Sequence, residues 1–110
     1  MLESAVEKHL CKKVKEELHG RAFKWLSPGF NGVPDRIVLL PMGRIYFVET
    51  KAPGKDLRKL QKFVRGLIQD LGFIVLRIDT KEKVNIFIRE VQSNGIQTTQ
   101  LSGVLHSEDC

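Results

Sequence analysis

The stretch GVPDRIVLLPMGRIYFVETKAPG, from Gly32 to Gly54, decides the fold. It holds two apolar runs, Ile37–Leu40 and Ile45–Val48, separated only by Pro41-Met42-Gly43-Arg44. A connection that short joins antiparallel neighbours, so the runs form a hairpin. Neither run alternates apolar with polar residues, which predicts central strands covered on both faces. With the turn centred near Met42 and Gly43, paired residue numbers sum to about 85, setting Asp35 across from Glu49 or Thr50. Glu49 and Lys51 are two residues apart and share a face. The hairpin therefore gathers Asp35, Glu49 and Lys51 at one of its ends. Directly opposed positions lie about 4.5–5.5 Å apart, close enough for two carboxylates to repel, and partial burial makes both charges costlier. Two arrangements answer that repulsion. Lys51 can serve as a structural ion-pair partner, or a hard divalent cation can bind, since Mg²⁺ favours one or two carboxylates with water and phosphate oxygens.

Working outward from the hairpin, Leu2, Val6, Leu10, Val14 and Leu18 recur every four residues and predict a helix over Leu2–Leu18. Gly20 is expected to end it in the left-handed conformation. Ala22–Leu26 reads as a short strand, followed by a loop of breakers that includes Pro28, Gly29, Asn31, Gly32 and Pro34. Beyond the hairpin, Asp56 is expected to cap a second helix running to Leu71, with Leu57, Leu60, Val64, Leu67, Ile68 and Leu71 as its apolar stripe. Gly72 closes that helix. Phe73–Ile78 is then a strand, and the strand–helix–strand order predicts a parallel crossover. Asp79-Thr-Lys-Glu82 has capping-box spacing and opens a third helix carrying Val84, Phe87, Ile88 and Val91. Asn94-Gly95 is expected to break it, leaving Ile96–Cys110 as an edge strand, a dimer arm or a frayed tail. The order is α-β-β-β-α-β-α, an α/β fold with a small mixed sheet flanked by helices. One domain over residues 1–92 is expected, with a tail over 93–110.

Composition excludes several classes. A chain of 110 residues with 42% hydrophobic and 28% charged residues has room for one core and is too apolar to be disordered. The longest apolar runs have four residues, so none spans a bilayer. Met1 leads straight into a charged stretch rather than a signal segment. Two cysteines, Cys11 and Cys110, make no disulfide framework and fit a reducing cytoplasm. The net charge of +5 points to a polyanionic partner.

That charge is concentrated. Lys51, Lys55, Arg58, Lys59, Lys62 and Arg65 stand against Asp56 alone, so residues 51–65 carry the whole excess. Arg58, Lys62, Arg65 and Gln69 follow three- and four-residue steps and form one helix face. Beside a candidate Mg²⁺ site such a face reads as a phosphate track, with Lys55, Arg58, Lys62 and Arg65 as its DNA contacts. Glu7 lies at the margin of the first helix's stripe. It belongs either to a solvated face, as Glu3 does, or to the open end of the sheet beside the carboxylates. Gln61 lies inside the second helix's stripe, where a buried amide needs partners. It is either a satisfied core group or one that orients water or phosphate.

Gly32-Val-Pro-Asp-Arg36, Glu49-Thr-Lys51-Ala-Pro-Gly54 and Gln61 together resemble the VRR-NUC family of the PD-(D/E)xK nuclease superfamily. Ala5-Val-Glu7-Lys-His is similar to the first helix of archaeal Holliday junction resolvases. The resemblance implies a restriction-endonuclease-like core and a divalent-metal-dependent nuclease using Mg²⁺, with Mn²⁺ as a substitute. It makes Asp35 and Glu49 the metal-binding carboxylates, Thr50 a ligand through its backbone carbonyl, and Lys51 the catalytic lysine. Glu7 becomes a further acidic member of the metal and catalytic set, and Gln61 the family's helix glutamine. Thr50 stands where an aliphatic residue is more usual, and Met42 sits in a turn often richer in glycine. Stand-alone domains of this size look like phage or bacterial proteins acting in DNA repair and recombination. The implied activity is a structure-specific DNA endonuclease cutting four-way (Holliday) junctions as a homodimer, since two symmetric cuts need two sites. The alternatives are the same chemistry on flaps, nicked or linear duplex, and a non-catalytic DNA-binding module. Residues Ser27–Val33, with Phe30, are the expected place for branch recognition.

Overall fold

A computed structural model describes the backbone of residues 3–106 and the side chains of residues 3–93. Helix α1 (Glu3–Leu18) is followed by β1 (Arg21–Lys24), β2 (Arg36–Leu40), β3 (Arg44–Thr50), α2 (Lys59–Asp70), β4 (Ile74–Ile78) and α3 (Lys81–His106). The strands form one sheet in the order β1-β2-β3-β4, antiparallel except for the parallel β3–β4 pair. This is the expected small mixed sheet flanked by helices. Among the described residues, no helix is long and apolar enough to cross a membrane.

The four-residue stripe of α1 is buried as the periodicity predicts. Val6, Leu10, Val14 and Leu18 pack with Val84, Phe87, Ile88 and Val91 of α3 over Val38, Leu40, Val48 and Ile78 of the sheet. Helix α2 covers the opposite face, where Val64 and Ile68 meet Val75, with Trp25, Val33 and Phe47 against them. The hairpin turn is a single 3₁₀ turn, Pro41–Gly43, with Met42 and Gly43 at φ of 76° and 72°. Its register pairs Arg36 with Val48 and Leu39 with Ile45.

Several local expectations need correction. The left-handed residue after α1 is His19 (φ 57°), not Gly20. Gly20 is there for space, since a Cβ on it would lie 2.4 Å from the Leu39 carbonyl oxygen. Helix α2 starts three residues later than Asp56 because Asp56 accepts a hydrogen bond from its neighbour Leu57 N–H, at 2.8 Å, instead of capping the helix. The cap of α3 is Thr80, whose hydroxyl accepts from the Lys83 N–H; Asp79 is buried. The backbone of α3 continues through Asn94-Gly95, where a break was expected, because a residue of low helix propensity weakens a helix without having to end it. Residues 107–110, including Cys110, lie outside the described residues. Coverage of the hairpin on both faces is incomplete: Leu39 and Ile45, near the turn, are exposed because α2 does not extend over them.

Candidate active site

Rows of residues run across the sheet beneath α2, one from each strand. Arg77 is paired with Glu49 in register, and extending the β2–β3 register by one step pairs Glu49 with Asp35. This is the pairing that the turn length predicts, to within one residue. The Trp25 N–H donates to the Asp35 carbonyl at 2.9 Å, anchoring the residue just before β2.

Each carboxylate is held through one oxygen. Asp35 Oδ2 accepts from the Thr50 N–H at 3.0 Å and from the Thr50 hydroxyl at 2.8 Å. Glu49 Oε1 accepts from Gln61 Nε2 at 2.8 Å and lies 3.7 Å from Lys51 Nζ. Asp35 Oδ1 and Glu49 Oε2 have no protein hydrogen bond among the described residues. Glu49 and Thr50 are buried, Glu49 to 3% exposure. Burial, reinforced by the Asp35 charge, raises the Glu49 carboxyl to about 7; Lys51 offsets part of this, and Glu3 adds to the rise.

Gln61 connects this pair to α2. While its amide nitrogen donates to Glu49, its Oε1 accepts from the Arg58 N–H at 2.8 Å, capping the helix. Both functions of the amide are satisfied, which explains a polar residue within an apolar stripe. Beside it lies a cleft of about 390 Å³ lined by Asn31, Gly32, Arg58, Leu60 and Gln61.

Asp35, Glu49, Thr50, Lys51 and Gln61 are thus brought together, and Glu7 is not. Its Oε2 accepts from Arg36 Nε at 2.6 Å, and Arg36 also donates to the Ala22 carbonyl. Arg36 shares a face of β2 with Val38 and Leu40, which pack against the stripe of α1. The ion pair therefore holds Glu7 on the α1 side of the sheet. Among the described residues, no group of three or more His, Cys, Asp or Glu is placed to hold a metal ion. The available donor set is two carboxylates. Of the basic residues, Lys55, Arg58 and Lys62 are exposed and Arg65 is half-buried; Lys62 Nζ lies 3.1 Å from Asp56 Oδ2.

Sequence reasoning missed the clamp made by the Thr50 side chain, and also Arg77 and Asp79. Asp79 accepts from Arg77 at 3.2 Å and from the Gly54 N–H at 3.4 Å, tying β4 to the loop after β3. The signal was present: Arg77 interrupts the apolar strand Phe73–Ile78 as Asp35 and Glu49 bound theirs. The expected recognition loop is partly pinned. At Gly32 (φ 91°) a Cβ would lie 2.9 Å from Leu60 Cγ of α2, while Phe30 is exposed.

No family model matches the chain. It is 42% identical over 84 residues to "Putative nuclease p44" of Acyrthosiphon pisum secondary endosymbiont phage 1, which covers 76% of this chain and 89% of that protein. It is also similar to a solved structure described as a VRR_NUC domain, with a TM-score of 0.74 and 28% identity over 79% of this chain and 94% of that one.

Proposed function

Starting from the chain's membership of the VRR-NUC family of nucleases, we propose that it is a Mg²⁺-dependent DNA endonuclease that cuts four-way junctions as a homodimer. The observation that carries the metal reading is the pair of carboxylates fixed through one oxygen each, with Asp35 Oδ1 and Glu49 Oε2 left for a cation. Two carboxylate donors, with the remaining positions supplied by water and phosphate, suit Mg²⁺ better than a closed all-protein cage would. The residues fit the ion. Asp35 and Glu49 would hold it with the Thr50 carbonyl, and Mn²⁺ would substitute. When bound, the ion supplies Lewis-acid polarisation of the scissile phosphate and a water of lowered pKa.

The chain's own residues do the rest. Lys51 presents a rotatable ammonium beside Glu49, suited to orient the attacking water or to neutralise charge developing on the phosphate. The Gln61 amide keeps Glu49 from turning away and fixes α2 relative to it. Thr50 does the same for Asp35. Lys55, Arg58, Lys62 and Arg65 would hold flanking phosphates, so that the reacting group arrives oriented. Glu7 acts through Arg36, bracing the strand that carries Asp35. Symmetric cuts in two strands need two copies of this site.

The test is a cleavage assay with Mg²⁺ or Mn²⁺ on a labelled four-way junction, a flap and a linear duplex of matched sequence, with Asp35→Asn alongside. Paired symmetric nicks in the junction, lost in the variant, are the expected result. Cuts confined to flap or duplex would overturn the junction reading and leave the nuclease. No metal-dependent cutting of any substrate would overturn the catalytic reading itself.

A further inference from the structure

The sheet face beneath α2 is covered only in part. Its rows, read across the register, are Phe73-Ile45-Leu39-Arg21 nearest the hairpin turn, then Val75-Phe47-Ile37-Phe23, then Arg77-Glu49-Asp35-Trp25. Val64 and Ile68 of α2 cover the second row at Val75 and Phe47, and Gln61 reaches the third. The first row stays open: Phe73, Ile45 and Leu39 are 40%, 36% and 42% exposed, and Phe23, at the end of the second row, is 52% exposed.

Helix α2 continues this apolar surface. Leu60, Phe63, Leu67 and Leu71 recur at three- and four-residue steps, and all are exposed, Phe63 to 61% and Leu71 to 76%. Leu60 and Val64 approach Gly32 in the connection between β1 and β2, so this flank of the helix faces the β1–β2 side of the sheet. By helical geometry, Lys62 and Arg65 lie on the other flank, away from it, while Arg58, which precedes the helix, borders Leu60 in the cleft beside Gln61. The eight side chains leave roughly 800 Å² of apolar surface in the open, more than the 300–600 Å² of a typical monomer's largest patch.

We infer that this face is the surface on which a second copy of the chain docks. The area matches the about 800 Å² that each partner contributes to a standard interface. The eight side chains of the face are all apolar, with Arg21, Arg44 and Arg58 at its edges, and two such apolar faces are chemically complementary to each other, as an isologous contact requires. A polyanion finds no cation at its centre. The carboxylate row lies two rows from the open first row, about 13 Å by strand geometry, and Leu60, which lines the cleft beside Gln61, is the part of the face nearest to it. The inference deepens the two-site reading above and rests on it for its purpose, but its test separates the two.

Sedimentation velocity of the full chain, Phe63→Glu, Leu71→Glu and Ile86→Glu (exposed on α3, off this face) is run with the cleavage assay, and circular dichroism confirms folding. The expected result is a micromolar or tighter wild-type dimer, weakened at least a hundredfold by Phe63→Glu and by Leu71→Glu and unchanged by Ile86→Glu. The monomeric variants still nick DNA singly but lose paired cuts. A wild type that is monomeric at 50 µM, or Phe63→Glu and Leu71→Glu proteins that remain dimeric, overturns the surface while leaving the nuclease intact. A dimer broken by these changes in a protein that cuts no DNA supports the surface and overturns the function.

Discussion

At the residue scale, Thr50 separates holding a carboxylate from merely containing one. Its N–H and hydroxyl both donate to the same oxygen of Asp35, Oδ2. Thr50→Val keeps the N–H, removes the hydroxyl and conserves volume. The expected outcome is a loss of about 10-fold or more in metal affinity or cleavage, the range for groups that orient a ligand, at about 1 kcal/mol in stability. Metal titration beside thermal melting checks both. Asp35→Asn and Glu49→Gln remove the donors themselves. We expect each to abolish cleavage, by about 100-fold or more, and to leave DNA binding unchanged or stronger, read by gel shift beside the cleavage assay. Wild-type cleavage rates in either variant would sink the metal assignment. These positions were legible in the sequence because a four-residue connection and a period of two fix cross-strand partners locally. The Thr50 clamp was not, since a threonine after a strand glutamate looks like ordinary β-propensity.

At the element scale, two features of helix and strand packing can be tested. Gly20 joins α1 to β1 where the chain passes the Leu39 carbonyl, and its φ is not in the left-handed region. Gly20→Ala therefore costs steric strain rather than backbone strain, about 1–3 kcal/mol, which for a domain of this size lowers Tm by about 4 °C or more. An unchanged melting curve would mean that the strand shifts freely. On α2, Arg58→Ala with Lys62→Ala should weaken DNA binding regardless of sequence and flatten the salt dependence by about two phosphate equivalents. Stability should change little, because the Lys62–Asp56 pair is exposed. The stripe of α1 could be read from its period, but of the stripe expected for α2 only Leu57, Val64 and Ile68 are buried, while Leu60, Leu67 and Leu71 lie on a flank that the sheet does not cover. The start of α2 could not be read: it is set by Gln61 accepting from the Arg58 N–H while donating to Glu49, a link between distant parts of the chain.

At the scale of the whole molecule, stability and the site share the titration of Glu49. Its carboxyl is raised from 4.5 to about 7, so the folded protein holds a proton that the unfolded chain has released. That contribution is fully present below about pH 4.5 and is lost as pH rises through about 7. Urea unfolding without divalent ions should therefore show stability falling from pH 5 to 8, and Glu49→Gln should flatten the fall. Saturating Mg²⁺ should reverse it, since the cation binds the deprotonated folded form. A slope unaffected by Glu49→Gln would place the titrating group elsewhere. The sequence by itself determined the hairpin, its register to within one residue, which left Asp35 facing Glu49 or Thr50, and the buried stripes of α1 and α3, because turn length and the periods of strand and helix act over a few residues. Only the tertiary structure decided that Arg36 holds Glu7 behind the sheet, that Gln61 reaches Glu49, and that half of the sheet face stays open. Those outcomes depend on how α1 and α2 are set down on the sheet, and that is fixed by packing between residues far apart in the chain.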